Sequence, residues 1–130
     1  MSVIIKGKET DRRIAEGLRD TFVSQYNDVA AFQMLLDTLG DNCLDRLIHR
    51  LKIEEKIDLF KDYVALKSIA EEVRAKGNRE IFIEVCKEDE ARAWINDNGK
   101  YHPLVFEALY KVYRNSERLA PYLKDKKEKR

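Results

Sequence analysis

Helical spacing of apolar residues runs through most of this chain and breaks once, between Gly77 and Pro103. That break constrains the fold most, because a 3.6-residue period and a 2-residue period cannot share one element. Before it, four apolar stripes recur. They are Ile14, Leu18 and Phe22; Phe32, Leu35, Leu36 and Leu39; Leu44, Leu47, Ile48 and Leu51; and Ile57, Phe60, Val64 and Ile69, with Tyr63 and Val73 beside the last. After it, Pro103 suits the first turn of a helix that carries Val105, Leu109 and Val112. Inside it, Ile81, Ile83 and Val85 alternate with other residues, and Asp97-Asn98-Gly99 has hairpin-turn chemistry.

These patterns predict a mostly α, α+β fold: a compact bundle of about five helices with a small antiparallel β element near residues 80–103. Strands are expected over 80–86, 91–95 and 100–102. The rival reading of that stretch is two short helices capped at Asn78 and Asp89. Thr10 and Asp28 have N-cap chemistry, and Gly40 suits a left-handed helix end. The fourth helix is expected from about Ile53 to Lys76, ended by Gly77-Asn78, and Pro121 is expected to stop the last one. Residues 2–6 read as an edge strand or a frayed arm. Residues 1–123 form one helical domain in this reading, and 124–130 a charged tail with nothing to bury.

Composition decides which classes remain. The chain is 44% hydrophobic and 38% charged, as a folded, highly soluble protein is. Cys43 and Cys86 imply no disulfide framework, so a reducing, cytoplasmic setting is expected. No apolar run approaches the ~20 residues of a membrane span. Glutamine occurs only at positions 25 and 33 amid abundant Lys, Arg and Glu, a bias also found in thermophiles. The net charge of +1 hides an asymmetry: residues 100–130 carry 9 basic and 4 acidic side chains, a local +5.

No constellation for a reaction is visible, and no cofactor or metal is expected. Cys43 and His49 stand six apart, Cys86 and His102 sixteen apart, neither at zinc-pair spacing. A nucleophile elbow, phosphate loop and dinucleotide fingerprint are all absent. Ser68–Val73 resembles the start of a helix-turn-helix, but Arg74 stands where its turn glycine belongs.

The basic residues are the functional lead. Lys111, Arg114 and Arg118 recur at i, i+3 and i+7, so they are expected to share one face of the last helix. Tyr110 and Tyr113 flank them, and Lys100 precedes the same helix. Arg46 and Arg50 form a second pair at i, i+4, with His49 adjacent. Cations interleaved with aromatics suit phosphate neutralisation and base stacking. The expected partners are therefore nucleic acid, RNA or single-stranded DNA backbone, and other protein subunits, with self-association left open. A protein-binding adaptor or inhibitor and a stand-alone DNA-binding regulator are the alternatives.

In size, in the helical stretches 11–76 and 103–119, in the inserted 81–85 segment and in the Lys111/Arg114/Arg118 face, the chain resembles the small helical subunits of CRISPR effector complexes. The resemblance implies a non-catalytic subunit that lines such a complex and contacts its nucleic acid.

Overall fold

The computed structural model describes residues 4–56, 59–96 and 101–123, and the side chains of Leu59, Phe60 and Asn96 are outside that description. Seven α-helices lie among the described residues: α1 (Glu9–Tyr26), α2 (Val29–Thr38), α3 (Gly40–Glu55), α4 (Leu59–Lys76), α5 (Asn78–Cys86), α6 (Ala91–Asn96) and α7 (His102–Arg114). A 3₁₀ segment, Glu117–Leu123, follows them. The expected bundle is present with more and shorter helices than five.

The expected β element is absent among the described residues; two short helices stand in its place, as in the rival reading, but the first starts at Asn78 after Gly77, which gives no side-chain cap, and the second starts at Ala91, not at an Asp89 cap. The only β-type pairing there is an isolated parallel bridge between Lys6 and Glu90. The reason lies in Phe82. Asn78, Ile81, Phe82 and Val85 are all buried, at i, i+3, i+4 and i+7, while Ile83 is 53% exposed. A helix buries four residues of this segment, whereas a strand would have turned Phe82 away from Ile81. The 91–95 stretch is helical as α6, and the turn and Lys100 lie outside the described residues.

Local chemistry explains the helix boundaries. Asp28 accepts a hydrogen bond from the Ala31 amide at 2.9 Å and caps α2. Gly40 has φ 73°, the left-handed conformation in which an L side chain is strained. Arg74 donates to the Gly40 carbonyl at 2.8 Å and ties that corner to α4. Thr10 does not cap α1; the helix begins at Glu9 after Lys8. The fourth helix starts at Leu59 because α3 continues to Glu55 and ends in a left-handed Lys56. The last helix stops at Arg114, before Pro121, which lies inside the 3₁₀ segment.

The core is one cluster drawn from every helix and the 3₁₀ segment. Leu35, Leu47 and Leu109 are in it as expected, and Val112 packs at its edge. Val64 is 81% exposed, because α4 buries Leu66, Ile69, Ala70 and Val73 instead. Ile14 is also exposed, since α1 buries Ala15, Arg19 and Phe22. The one buried amide side chain among the described residues, Asn78, donates to the Val29 carbonyl and to Gln33 Oε1, both at 3.1 Å, and accepts from Arg79 at 2.8 Å. Its polar atoms are thus paired, as burial demands.

Candidate functional site

Helices α3 and α7 run side by side in the same direction, paired in steps of four residues on α7 and of four and then five on α3. The Arg46 guanidinium lies 4.6 Å from the Phe106 ring centre. One turn on, the Arg50 guanidinium lies 4.1 Å from Tyr110. One turn further, Arg114 donates to Glu55 Oε2 from Nε at 3.0 Å and from Nη2 at 2.7 Å. Residues four apart share a helix face, so two such series can pair rung by rung.

The rungs differ in what remains available. Arg50 also donates to Glu54 at 2.9 Å and to Glu107 at 2.5 Å. Those hydrogen bonds raise its already high pKa. Glu54 accepts from Arg50 and, at 2.8 Å, from the Tyr110 hydroxyl, and this pair holds its carboxyl below the usual range. Burial and Glu54 together push the Tyr110 phenol up, so it stays a donor. Arg46 is exposed and makes no hydrogen bond or ion pair with another described residue. Lys52, exposed on the last turn of α3, and Lys56, exposed at its C-cap, likewise make none with another described residue. They also stand at the end of the helix where the backbone dipole favours cations.

The sequence-predicted residues thus divide. Arg46, Arg50 and Arg114 meet on the α3–α7 face, with Lys111 exposed beside them on α7. Lys111 makes no ion pair with a described residue. Arg118 does not continue the Lys111/Arg114 line, because α7 ends at Arg114; it pairs instead with Glu72 of α4 at 2.5 Å. The carboxylate of Glu55 is only 2% exposed, so Arg114 is committed to a structural pair. Lys100 lies outside the described residues.

Sequence reasoning passed over Lys52, Ile53, Lys56 and Phe106. Spacing held part of the signal: His49 and Ile53 fall opposite the Leu44/Leu47/Ile48/Leu51 stripe, with Asp45 and Lys52 on its flank. A cleft of about 560 Å³ opens there, lined by Asp45, Arg46, His49, Arg50, Ile53, Glu54 and Phe106. Ile53 is 66% exposed at its edge. Asp45 does not oppose an anion in this cleft with full strength, since it accepts from the Tyr63 hydroxyl and lies 3.7 Å from Lys67.

A second, larger groove of about 640 Å³ runs between α4, α5, α7 and the 3₁₀ segment. Its rim mixes Glu72, Glu80 and Glu84 with Lys76, Lys87 and Arg118, and Ile83 is exposed within it.

Burial pushes both thiols up, against a downward pull from Arg74 and Arg46 on Cys43 and from Arg19 and Arg79 on Cys86, so each is protonated at neutral pH. Among the described residues no three His, Cys, Asp or Glu side chains are placed to hold a metal ion. No helix among them is long and apolar enough to cross a membrane. No protein-family model, no curated protein and no solved structure matches this chain.

Proposed function

We propose that this protein is a non-catalytic binding subunit that holds the backbone of a nucleic-acid strand against the outer face of α3. One observation carries the reading: Arg46 and Lys52 on α3 and Lys56 at its C-cap stand exposed with no carboxylate partner among the described residues. Their span is about 15 Å at 1.5 Å per residue, enough to meet several successive phosphates of one strand. The face first suggested by the sequence contributes less, because Arg114 and Arg118 already hold Glu55 and Glu72.

A second contact, to protein, is favoured by the groove around Ile83. Its apolar floor and alternating rim charges suit a polypeptide better than a polyanion. The two faces together fit a subunit of a nucleic-acid-handling ribonucleoprotein assembly. Of the features behind the likeness to CRISPR effector small subunits, the helical stretches support that setting, and the inserted strand does not, since 81–85 is helical.

The test is an anisotropy titration against a labelled single strand at several salt concentrations. The triple variant Arg46→Glu, Lys52→Glu, Lys56→Glu is expected to lose about two units of log–log salt slope, at ~0.7 per phosphate on a single strand. Lys111→Glu alone is expected to change the slope by less than one such unit. An unchanged slope in the triple variant, with its helical circular dichroism intact, removes α3 from the interface.

A further inference from the structure

We propose that the cleft between α3 and α7 seats an unstacked nucleobase, so that the strand held by α3 is single-stranded at that point. This rests on the phosphate-strip reading above and adds to it a base contact, which a phosphate strip alone does not require.

Three observations converge on the cleft. First, the Arg46 guanidinium carbon sits over the Phe106 ring, 4.6 Å from its centre, yet the residue remains exposed. A guanidinium fixed on one face by an aromatic ring offers its other face as a stacking platform, and it does so with little further loss of side-chain freedom. Arg50, stacked in the same way on Tyr110, is not equivalent, because Glu54 and Glu107 occupy its donors. Second, the apolar wall beside that platform, Ile53 and Phe106, is the surface a flat base covers and a phosphate avoids. The volume, about 560 Å³, lies within the range of ligand-sized clefts. Third, the carboxylates that line it are already engaged, Glu54 by Arg50 and Tyr110, and Asp45 by Tyr63 and Lys67. Lys52 and the C-cap Lys56 follow toward the C-terminal end of α3, the direction in which the strand would continue from a seated base. Duplex bases are stacked on each other and cannot enter such a cleft without being extruded.

The experiment compares three labelled probes of ten nucleotides: an oligothymidylate, the same phosphodiester chain made abasic, and a blunt duplex. The oligothymidylate is expected to bind about tenfold more tightly than the abasic strand, the worth of one stacked base, and more tightly than the duplex. Arg46→Lys keeps the charge and removes the plane. It is expected to erase that tenfold preference, so that the base-bearing and abasic strands bind the variant equally. Phe106→Ala, checked for folding by thermal melt, should do the same by freeing Arg46 from its ring. Equal binding of the base-bearing and abasic strands overturns the base seat and leaves the phosphate strip standing. Retention of the preference in Arg46→Lys overturns the role of Arg46. Failure of all three probes to bind at low salt overturns both readings together.

Discussion

The two ends of this molecule use aromatic rings in opposite ways. At the α1/α2/α5/α6 end, Phe22, Tyr26, Phe32, Phe82, Trp94 and Tyr101 pack ring against ring, with Phe22 at the centre: its centroid lies 5.1–6.0 Å from those of Tyr101, Tyr26, Phe82, Trp94 and Phe32. On the α3–α7 face, Phe106 and Tyr110 meet guanidinium groups instead. Ring on ring removes water from both partners and serves the core. Ring under guanidinium keeps a charged, planar group at the surface in a chosen orientation. The stack alone does not mark a binding face, however. Arg79 also covers a ring, Phe82 at 4.6 Å, yet its N–H groups go to Asn78 and to the Asn27 carbonyl, which makes it a structural tie. What separates Arg46 is that its donors have no described partner.

The largest effect should come from breaking the ring cluster. Phe22 is fully buried among five other rings. Phe22→Ala is expected to cost about 3–5 kcal/mol by chemical denaturation. Phe106→Ala, at a half-buried position with one cation–π contact, should cost about 1 kcal/mol. Equal costs at the two sites would mean that the α3–α7 face is core as well. Within that face a smaller contrast is expected. Arg114→Glu should cost about 1–2 kcal/mol because it sets a like charge against the buried Glu55 side chain; the loss falls short of that for a fully buried pair because Arg114 is itself 40% exposed. Arg46→Glu should leave stability within about 0.5 kcal/mol. If Arg46→Glu proves the more destabilising, the assignment of the two arginines is reversed.

That contrast also shows what was legible in the sequence. The 3.6-residue stripes of α2, α3 and α7 were readable because their buried faces are continuous and their ends carry strong signals, Asp28, Gly40 and Pro103. The α5 segment misled because Ile81, Ile83 and Val85 satisfy a period of 2 while Phe82 and Asn78 complete a period of 3.6. A polar residue at a core position, its hydrogen bonds supplied by Val29 and Gln33 from α2, is a tertiary fact. Val64 and Ile14 failed for a related cause: α1 and α4, 18 residues each, carry apolar residues on more than one side, and the choice of inner face is made by the neighbouring helices. At the site, cations were visible but their partners were not. Glu55 and Arg114 stand 59 residues apart, and only the fold brings them to 2.7 Å.

Alkaline pH offers a finer probe of the same packing. Burial, and then the neighbouring Tyr110, push the Tyr113 phenol above its ordinary 10.0, and its hydroxyl donates to the Leu66 carbonyl at 3.1 Å. A pKa raised in the folded state means that the folded protein holds the proton more tightly than the unfolded chain does. The contribution is therefore fully present below about pH 10 and is lost as pH rises above it. Tyr113→Phe removes the titrating group, so its stability should fall less steeply than wild type between pH 10 and 11. Parallel falls in the two proteins would show that Tyr113 ionises freely, and hence that α7 opens on its α4 side.

The smallest effect expected is a gain. Gly17 lies in the interior of α1, on the side away from Ala15, Arg19 and Phe22, and a Cβ built there meets nothing within 4 Å. A glycine in such a place costs unfolded-state entropy without serving a turn, so Gly17→Ala should stabilise by about 0.5–1 kcal/mol. Gly77 is the counter-case, since a Cβ there would stand 2.7 Å from the Val73 carbonyl oxygen, and its alanine variant should lose stability. Because Gly17 backs the ring cluster and not the α3–α7 face, the alanine should leave strand affinity and salt slope unchanged. A loss of stability at position 17 that deepens with protein concentration would instead mean that the outer side of α1 closes against a second copy of the chain. The ring-cluster end would then carry an interface of its own, and the division of labour between the two ends would not hold.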